Sequence, residues 1–161
     1  TSTINLFLSG GVDIMCAMWY NEYNQIYLAG IDYEDLNAYF FFDYGLNFPE
    51  DGVYCHASFY KQNREACRNF VKATLEGWQY AFGHKEEALA ETLKWMKYRN
   101  IPANAAHQRW MLNIMEKVYT QEDGSLDALL NRKDFIHTGE VLLESGSINE
   151  IPDFDQFNKT K

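Results

Sequence analysis

Apolar residues follow two different rhythms along this chain. Up to about residue 58 they come in short, dense runs; beyond it they recur at helical spacing. Residues 12–18 form a compact apolar run led in by Gly10 and Gly11, the pattern of a strand covered on both faces in a parallel sheet. A helix-like run follows from about Tyr20 to Ala29 and stops at Gly30. Residues 36–43, with Tyr39, Phe40, Phe41 and Phe42 in a row, predict a second buried strand. Strand, helix, strand with short connections is a right-handed crossover unit, and two parallel strands cannot make a whole sheet. After turn chemistry over 43–52, Val53, Cys55 and Ala57 alternate with Tyr54, His56 and Ser58, as a third strand over 53–58 would. Residues 3–9 read as the last turns of a helix.

Helices are predicted from there on. Cys67, Phe70, Val71, Thr74, Leu75, Trp78, Ala81 and Phe82 share one face, which makes 65–82 the most secure helix. Gly77 inside it costs about 1 kcal/mol relative to alanine, so close packing against a neighbour is expected there. Ala88, Leu89, Thr92, Leu93 and Met96 mark a second helix, ended before Pro102. Ala106, Trp110, Met111, Ile114, Met115 and Val118 mark a third. A short helical piece is expected near 126–130, then a helix carrying Phe135, Ile136, Leu142 and Leu143 and closed by Gly146. Residues 148–157 are expected to lie on the surface as a tail.

Composition narrows the class of partner. The 161 residues, 47% hydrophobic and 16% aromatic, suffice for one sizeable packed domain. Fourteen Lys and Arg against 23 Asp and Glu give a net charge of −9 with no basic run, which disfavours nucleic acid and anionic membrane surfaces. No apolar stretch approaches the roughly 20 residues of a membrane span, and any export signal is expected upstream of residue 1. Cys16, Cys55 and Cys67 are odd in number, so buried free thiols are expected rather than a disulfide framework. His56, His84, His107 and His137 are scattered, without metal-ligand spacing, and neither a nucleophile elbow nor a phosphate-cradling loop is present. No metal or cofactor is expected.

In open α/β sheets ligands sit at the carboxyl ends of strands. Trp19, Tyr20, Asn21 and Glu22 occupy that position after the first run, two rings, an amide and a carboxylate in sequence. Aromatic residues at a strand end also serve as core, and a Glu in a first helical turn is favoured by the helix dipole alone. Asp13, Glu22, Asp43, Glu50 and Asp51 contain no spacing that singles out an acid–base pair.

Three stretches carry a resemblance: residues 11–23 with Gly30-Ile31, residues 43–54, and residues 70–82 with Glu86-Glu87-Ala88. Together, in that order and spacing, they resemble the pyrimidine-type substrate-binding proteins of ABC importers, relatives of the fungal thiamine-pyrimidine synthase and of sulfonate- and nitrate-binding proteins. The resemblance implies an α/β, type 2 periplasmic-binding-protein-like fold of which this chain is the carboxyl-terminal portion. Residues 1–52 would be part of the second ligand-binding lobe, and 53–161 the crossing strand and helices returning to a first lobe. It further implies an extracytoplasmic binding component and not an enzyme, with an ABC permease and a missing amino-terminal lobe, or a second copy, as partners. The cleft residues implied are Trp19, Tyr20, Asn21, Glu22, Asp43 and Tyr44. An aminopyrimidine suits them, since Glu22 or Asn21 can meet its amino group and ring nitrogen while its flat ring stacks on Trp19 or Tyr20. Nitrate and sulfonate would need donors and positive charge. The synthase carries a cysteine cluster in the segment corresponding to 45–55; here that segment holds Cys55 alone.

Overall fold

Helices supply nearly all the regular backbone of the computed structural model, which describes residues 4–126 and 129–158. In chain order they are α1 (Asn5–Leu8), α2 (Glu22–Leu28), α3 (Ala57–Gln62), α4 (Arg64–Gly83), α5 (Lys85–Tyr98), α6 (Ala105–Tyr119), α7 (Arg132–Glu144) and α8 (Phe154–Phe157), with short 3-10 turns at Tyr33–Asp35 and Phe41–Tyr44. The described chain divides into two units. One takes its residues from Thr1–Ala38 and Glu76–Asp127, the other from Tyr39–Leu75 and Ala128–Lys161.

Local chemistry explains where the longer helices begin and end. Asn104 Oδ1 accepts from the backbone N–H of Ala106 (2.9 Å) and His107 (3.2 Å), occupying two of the orphan donors at the start of α6. Asn131 Oδ1 does the same for Asp134 N–H at the start of α7 (2.8 Å). Gly30 (φ +97°) and Gly146 (φ +72°) follow α2 and α7 in the left-handed conformation that a side chain resists, so both stops fall where the glycines place them.

In the first unit α5 and α6 run antiparallel. Lys85, at the start of α5, donates to Asn113 Oδ1 (3.0 Å) and pairs with Glu116 near the end of α6, and Arg109 forks onto the Glu86 carboxylate. Arg109, with that bond as the main cause, holds the Glu86 carboxyl below the usual range, but the pair is exposed and contributes little to stability. Burial of Leu89 on α5 and Ile114 on α6 holds the hairpin more firmly. Ile26 of α2 is buried in the same unit, and Trp78 of α4 packs on Tyr119 (ring centroids 5.2 Å apart). In the second unit α8 folds back on α7: Phe154 is buried, and Phe135 meets both Phe154 (5.3 Å) and Phe157 (5.0 Å).

Several expectations need correction. No strand is present among the described residues, so the α/β pattern is not seen in them; the only sheet-type pairing there is an isolated bridge between Thr120 and Leu126. Residues 12–18 have no regular structure and Ile14 is 86% exposed. Residues 37–40 have no regular structure and lead into the 3-10 turn Phe41–Tyr44, with Tyr39 71% exposed, and 53–56 lead into α3, which takes in 57 and 58. The physical reason is common to all three. A strand closes its hydrogen bonds only on another strand, whereas a helical turn closes them on itself, so a dense apolar run without a ladder partner does not become a strand. The thiols also differ from expectation: Cys16 and Cys55 are exposed and Cys67 half-buried. The segment after α7 is no surface tail throughout, because Phe154 is core and Ile151 lies against Gly139. The piece expected near 126–130 falls partly on 127 and 128, outside the described residues.

Gly77 is not a close-packing glycine either: a Cβ there would meet nothing within 4 Å. At Gly139 a Cβ would lie 2.7 Å from Ile151 Cγ2, so the α7 glycine is the one that permits close approach. Gly77→Ala is therefore expected to stabilise the protein by about 1 kcal/mol. Gly139→Ala should destabilise it by roughly 1–2 kcal/mol, overpacking outweighing the gain in helix propensity. Chemical denaturation of the two variants side by side checks both signs.

Candidate functional site

Asn21 stands at the N-cap position of α2, yet its side chain does not cap the helix. Its Oδ1 instead accepts from Gln25 Nε2 (2.8 Å) and from His107 Nε2 of α6 (3.0 Å), while its Nδ2 donates to Glu22 Oε1 (3.3 Å). The Glu22 side chain turns back along the chain, where Oε2 accepts from the Met18 backbone N–H (3.0 Å). On the far side of His107, Asn24 Nδ2 donates to Nδ1 (3.1 Å), and Asn24 Oδ1 accepts from the Tyr33 hydroxyl (3.1 Å).

These bonds form one directed chain. Tyr33 donates to Asn24, Asn24 to His107, His107 to Asn21, and Asn21 to Glu22. The order fixes the imidazole as neutral with its proton on Nε2, because Asn24 Nδ2 can only donate and Asn21 Oδ1 can only accept. Electrostatics agree. Burial holds His107 below the usual imidazole range and outweighs the opposing pull of the Glu22 carboxylate. Burial, then the neighbouring Tyr23 and Tyr27, holds the Tyr33 hydroxyl above its usual range, so it remains a donor. Glu22, Asn24 and His107 are all buried, and none of the buried side-chain polar atoms among the described residues lacks a partner.

Aromatic rings lie beside this polar line. Tyr33 stacks between Tyr23 and Tyr27, with centroids 4.7 Å away on each side, and stands 6.0 Å from Trp110 of α6. The Trp110 indole N–H donates to the Trp19 carbonyl (3.2 Å), which fastens the turn before α2 to α6.

Four of the six residues expected at a cleft are therefore neighbours in one unit. Trp19, Tyr20 and Asn21 are half-buried and Glu22 is buried. Asp43 and Tyr44 lie in the second unit, exposed on the 3-10 turn Phe41–Tyr44, where Tyr44 stands 6.4 Å from Tyr39. Reading the sequence missed Asn24, Tyr33, His107 and Trp110. Trp110 gave a signal only as a core position of its helix, and His107 gave none, since no spacing relates it to Asn21. Among the described residues no group of His, Cys, Asp and Glu is arranged to hold a metal ion.

The arrangement offers acceptor positions on the Glu22 carboxylate. Each Glu22 oxygen has an acceptor position beyond the bond described, and both His107 nitrogens are already engaged.

A dependence on pH follows. The unfolded chain takes up a proton on His107 near pH 6.5, and the folded protein only at lower pH. The stability carried by neutral His107 is thus fully present above about pH 6.5 and lost as pH falls through the depressed folded value. Thermal melts of the wild type and His107→Gln between about pH 5 and pH 8 should show their difference in melting temperature changing below about pH 6.5 in the wild type's disfavour. A difference that stays constant with pH would contradict the assignment. His107→Ala should cost about 1–3 kcal/mol, because it leaves Asn21 and Asn24 without their partner.

Sequence comparison adds a family to this geometry. Residues 1–88 match the profile of the family described as NMT1/THI5 like. No curated protein and no solved structure matched the chain. The family covers ABC substrate-binding proteins and thiamine synthase-like members, and its domain has the periplasmic-binding-protein-like fold. The matched region contains α2, all six expected cleft residues and two of the four residues that complete the hydrogen-bonded line and its aromatic flank, Asn24 and Tyr33. With more than half of its length matched, this chain belongs to the NMT1/THI5-like family.

Proposed function

We propose that the chain is part of an extracytoplasmic substrate-binding component of an ABC transporter and binds a thiamine-precursor-like pyrimidine, or a similar small heteroaromatic, without turning it over. The observation that carries this reading is the Glu22 carboxylate, held by Met18 and Asn21 with acceptor positions to spare and preceded by the rings of Trp19 and Tyr20. An aminopyrimidine presents exocyclic N–H donors to such a carboxylate and a flat face to such rings. A charge-assisted hydrogen bond contributes roughly 1.5–3 kcal/mol and a stacked ring about 0.5–1.5 kcal/mol.

Family membership supports the type of protein, and the acidic, acceptor-rich character of the site disfavours nitrate and sulfonate. In this reading residues 1–52 belong to a second lobe and 53–161 return to a first lobe. Closure of the lobes would present the ligand to a permease.

Thermal-shift screening of aminopyrimidines, thiamine and small sulfonates, on a chain that includes an amino-terminal lobe, should raise the melting temperature with the pyrimidines. Glu22→Gln should weaken that binding about 10- to 100-fold while the protein remains folded. A shift with sulfonates alone would overturn the ligand class. Turnover in the presence of pyridoxal phosphate and iron would replace the binding reading with the synthase one.

A further inference from the structure

The hydrogen-bonded line through His107 ties the Glu22 carboxylate to a group that titrates. His107 stands in the first turn of α6, where Asn104 Oδ1 accepts from its backbone N–H, and its Nε2 donates to Asn21 Oδ1 (3.0 Å). The Asn21 Nδ2 donates in turn to Glu22 Oε1 (3.3 Å), so a single amide separates the imidazole from the carboxylate. Groups from several elements surround the ring. From α2, Glu22 pulls toward the charged imidazole, and the Tyr33 hydroxyl reaches the other ring nitrogen through Asn24. From α5, Lys85 and Glu86 face α6, where Glu116 and Arg109 engage them. Burial and the positive end of the α6 dipole oppose a charge on the ring.

Resting on the reading of Glu22 as the carboxylate that holds the ligand, we propose that His107 is a positioning residue for it, and that one proton taken up by the imidazole lowers the affinity of Glu22 for a cationic or N–H-donating ligand. The proton arrives at Nδ1, the nitrogen that accepts from Asn24 Nδ2 in the neutral form (3.1 Å). Two donors then face each other. A half-turn of the Asn24 amide resolves the conflict: its Oδ1 accepts from Nδ1–H, and its Nδ2 donates to the Tyr33 oxygen, which can accept as well as donate. Asn24 and the imidazole both keep their partners, so the protonated line is a second defined arrangement. Between His107 and Glu22 the direction of bonding is unchanged, because Nε2–H still donates to Asn21. What changes is charge. The carboxylate now shares its field with an imidazolium one amide away, and a ligand that brings positive charge or N–H dipoles meets a pair of opposite charges instead of a bare anion. Linkage makes the effect reciprocal: a bound cation weakens the pull of Glu22 on the ring and keeps His107 neutral to lower pH. Affinity is therefore full above the His107 midpoint and falls as pH drops through it.

Two measurements on the same chain as the ligand screen test this. The first needs neither ligand nor a His107 variant. Magnetic resonance of isotope-labelled imidazoles gives the His107 midpoint, and the labelled Glu22 carboxyl, identified by its loss in Glu22→Gln, should show an inflection at that midpoint besides its own. A carboxyl signal without that inflection overturns the proposal whether or not any pyrimidine binds. The second compares dissociation constants of 4-aminopyrimidine for the wild type and His107→Gln, a side chain that donates and accepts but does not titrate. Taking the ratio of the two at each pH cancels the ligand's own protonation. From about pH 7.5 to about one unit below the midpoint, wild-type affinity relative to the variant should fall about 5- to 20-fold. A ratio constant with pH, with 4-aminopyrimidine bound, overturns the proposal and leaves the ligand reading standing. No binding of 4-aminopyrimidine at either pH, with the carboxyl inflection present, overturns the ligand reading and with it the effect on affinity.

Discussion

A neutral imidazole that must donate on one side and accept on the other is the constraint around which the first unit is arranged. His107 joins α6 to the turn and helix that carry the candidate site, and its two bonds have only one consistent direction. A buried polar group left without a partner costs about 1–3 kcal/mol, so the line from Tyr33 to Glu22 is stable as a whole and weak in any partial form. Its effect on the site is positional. Asn21 gives up capping α2 in order to connect His107 with Glu22, and Glu22 is thereby held with its oxygens turned toward Met18 and Asn21.

What was legible in the sequence was what the chain decides locally. α4, α5, α6 and α7 stand where apolar spacing placed them, and the stops at Gly30 and Gly146 depend on backbone conformations that glycine alone reaches easily. The three expected strands depended on partners elsewhere, and a dense run such as 12–18 carries no information about whether a partner exists. The site divides in the same way. Trp19 to Glu22 could be picked out because they sit together after a run. Asn24, Tyr33, His107 and Trp110 join them through contacts that no periodicity records. Asn21 stands at the N-cap position of α2, and only the placement of α6 shows that its oxygen is used elsewhere.

The glycines show the same limit at the scale of one atom. Gly77 and Gly139 are both helix-interior glycines, and propensity treats them alike. One faces open space and the other lies against Ile151, which comes from a segment twelve residues further on. That close approach is part of how α8 returns to α7 and buries Phe154.

The distance along the chain between the two halves of the hydrogen-bonded line affects how the first unit assembles. Asn24 and His107 are 83 residues apart, and Asn21 and His107 are 86 apart, whereas α5 and α6 are joined by a short loop. Contacts within a helical hairpin form quickly, and those that close a long span come later. The hairpin is therefore expected to form first, with α2 docking onto it afterwards. A segment that joins a preformed hairpin last can detach without unfolding it, so amide exchange in α2 is expected to report undocking rather than global unfolding. The strip that carries Glu22 can then readjust without disturbing the hairpin beneath it.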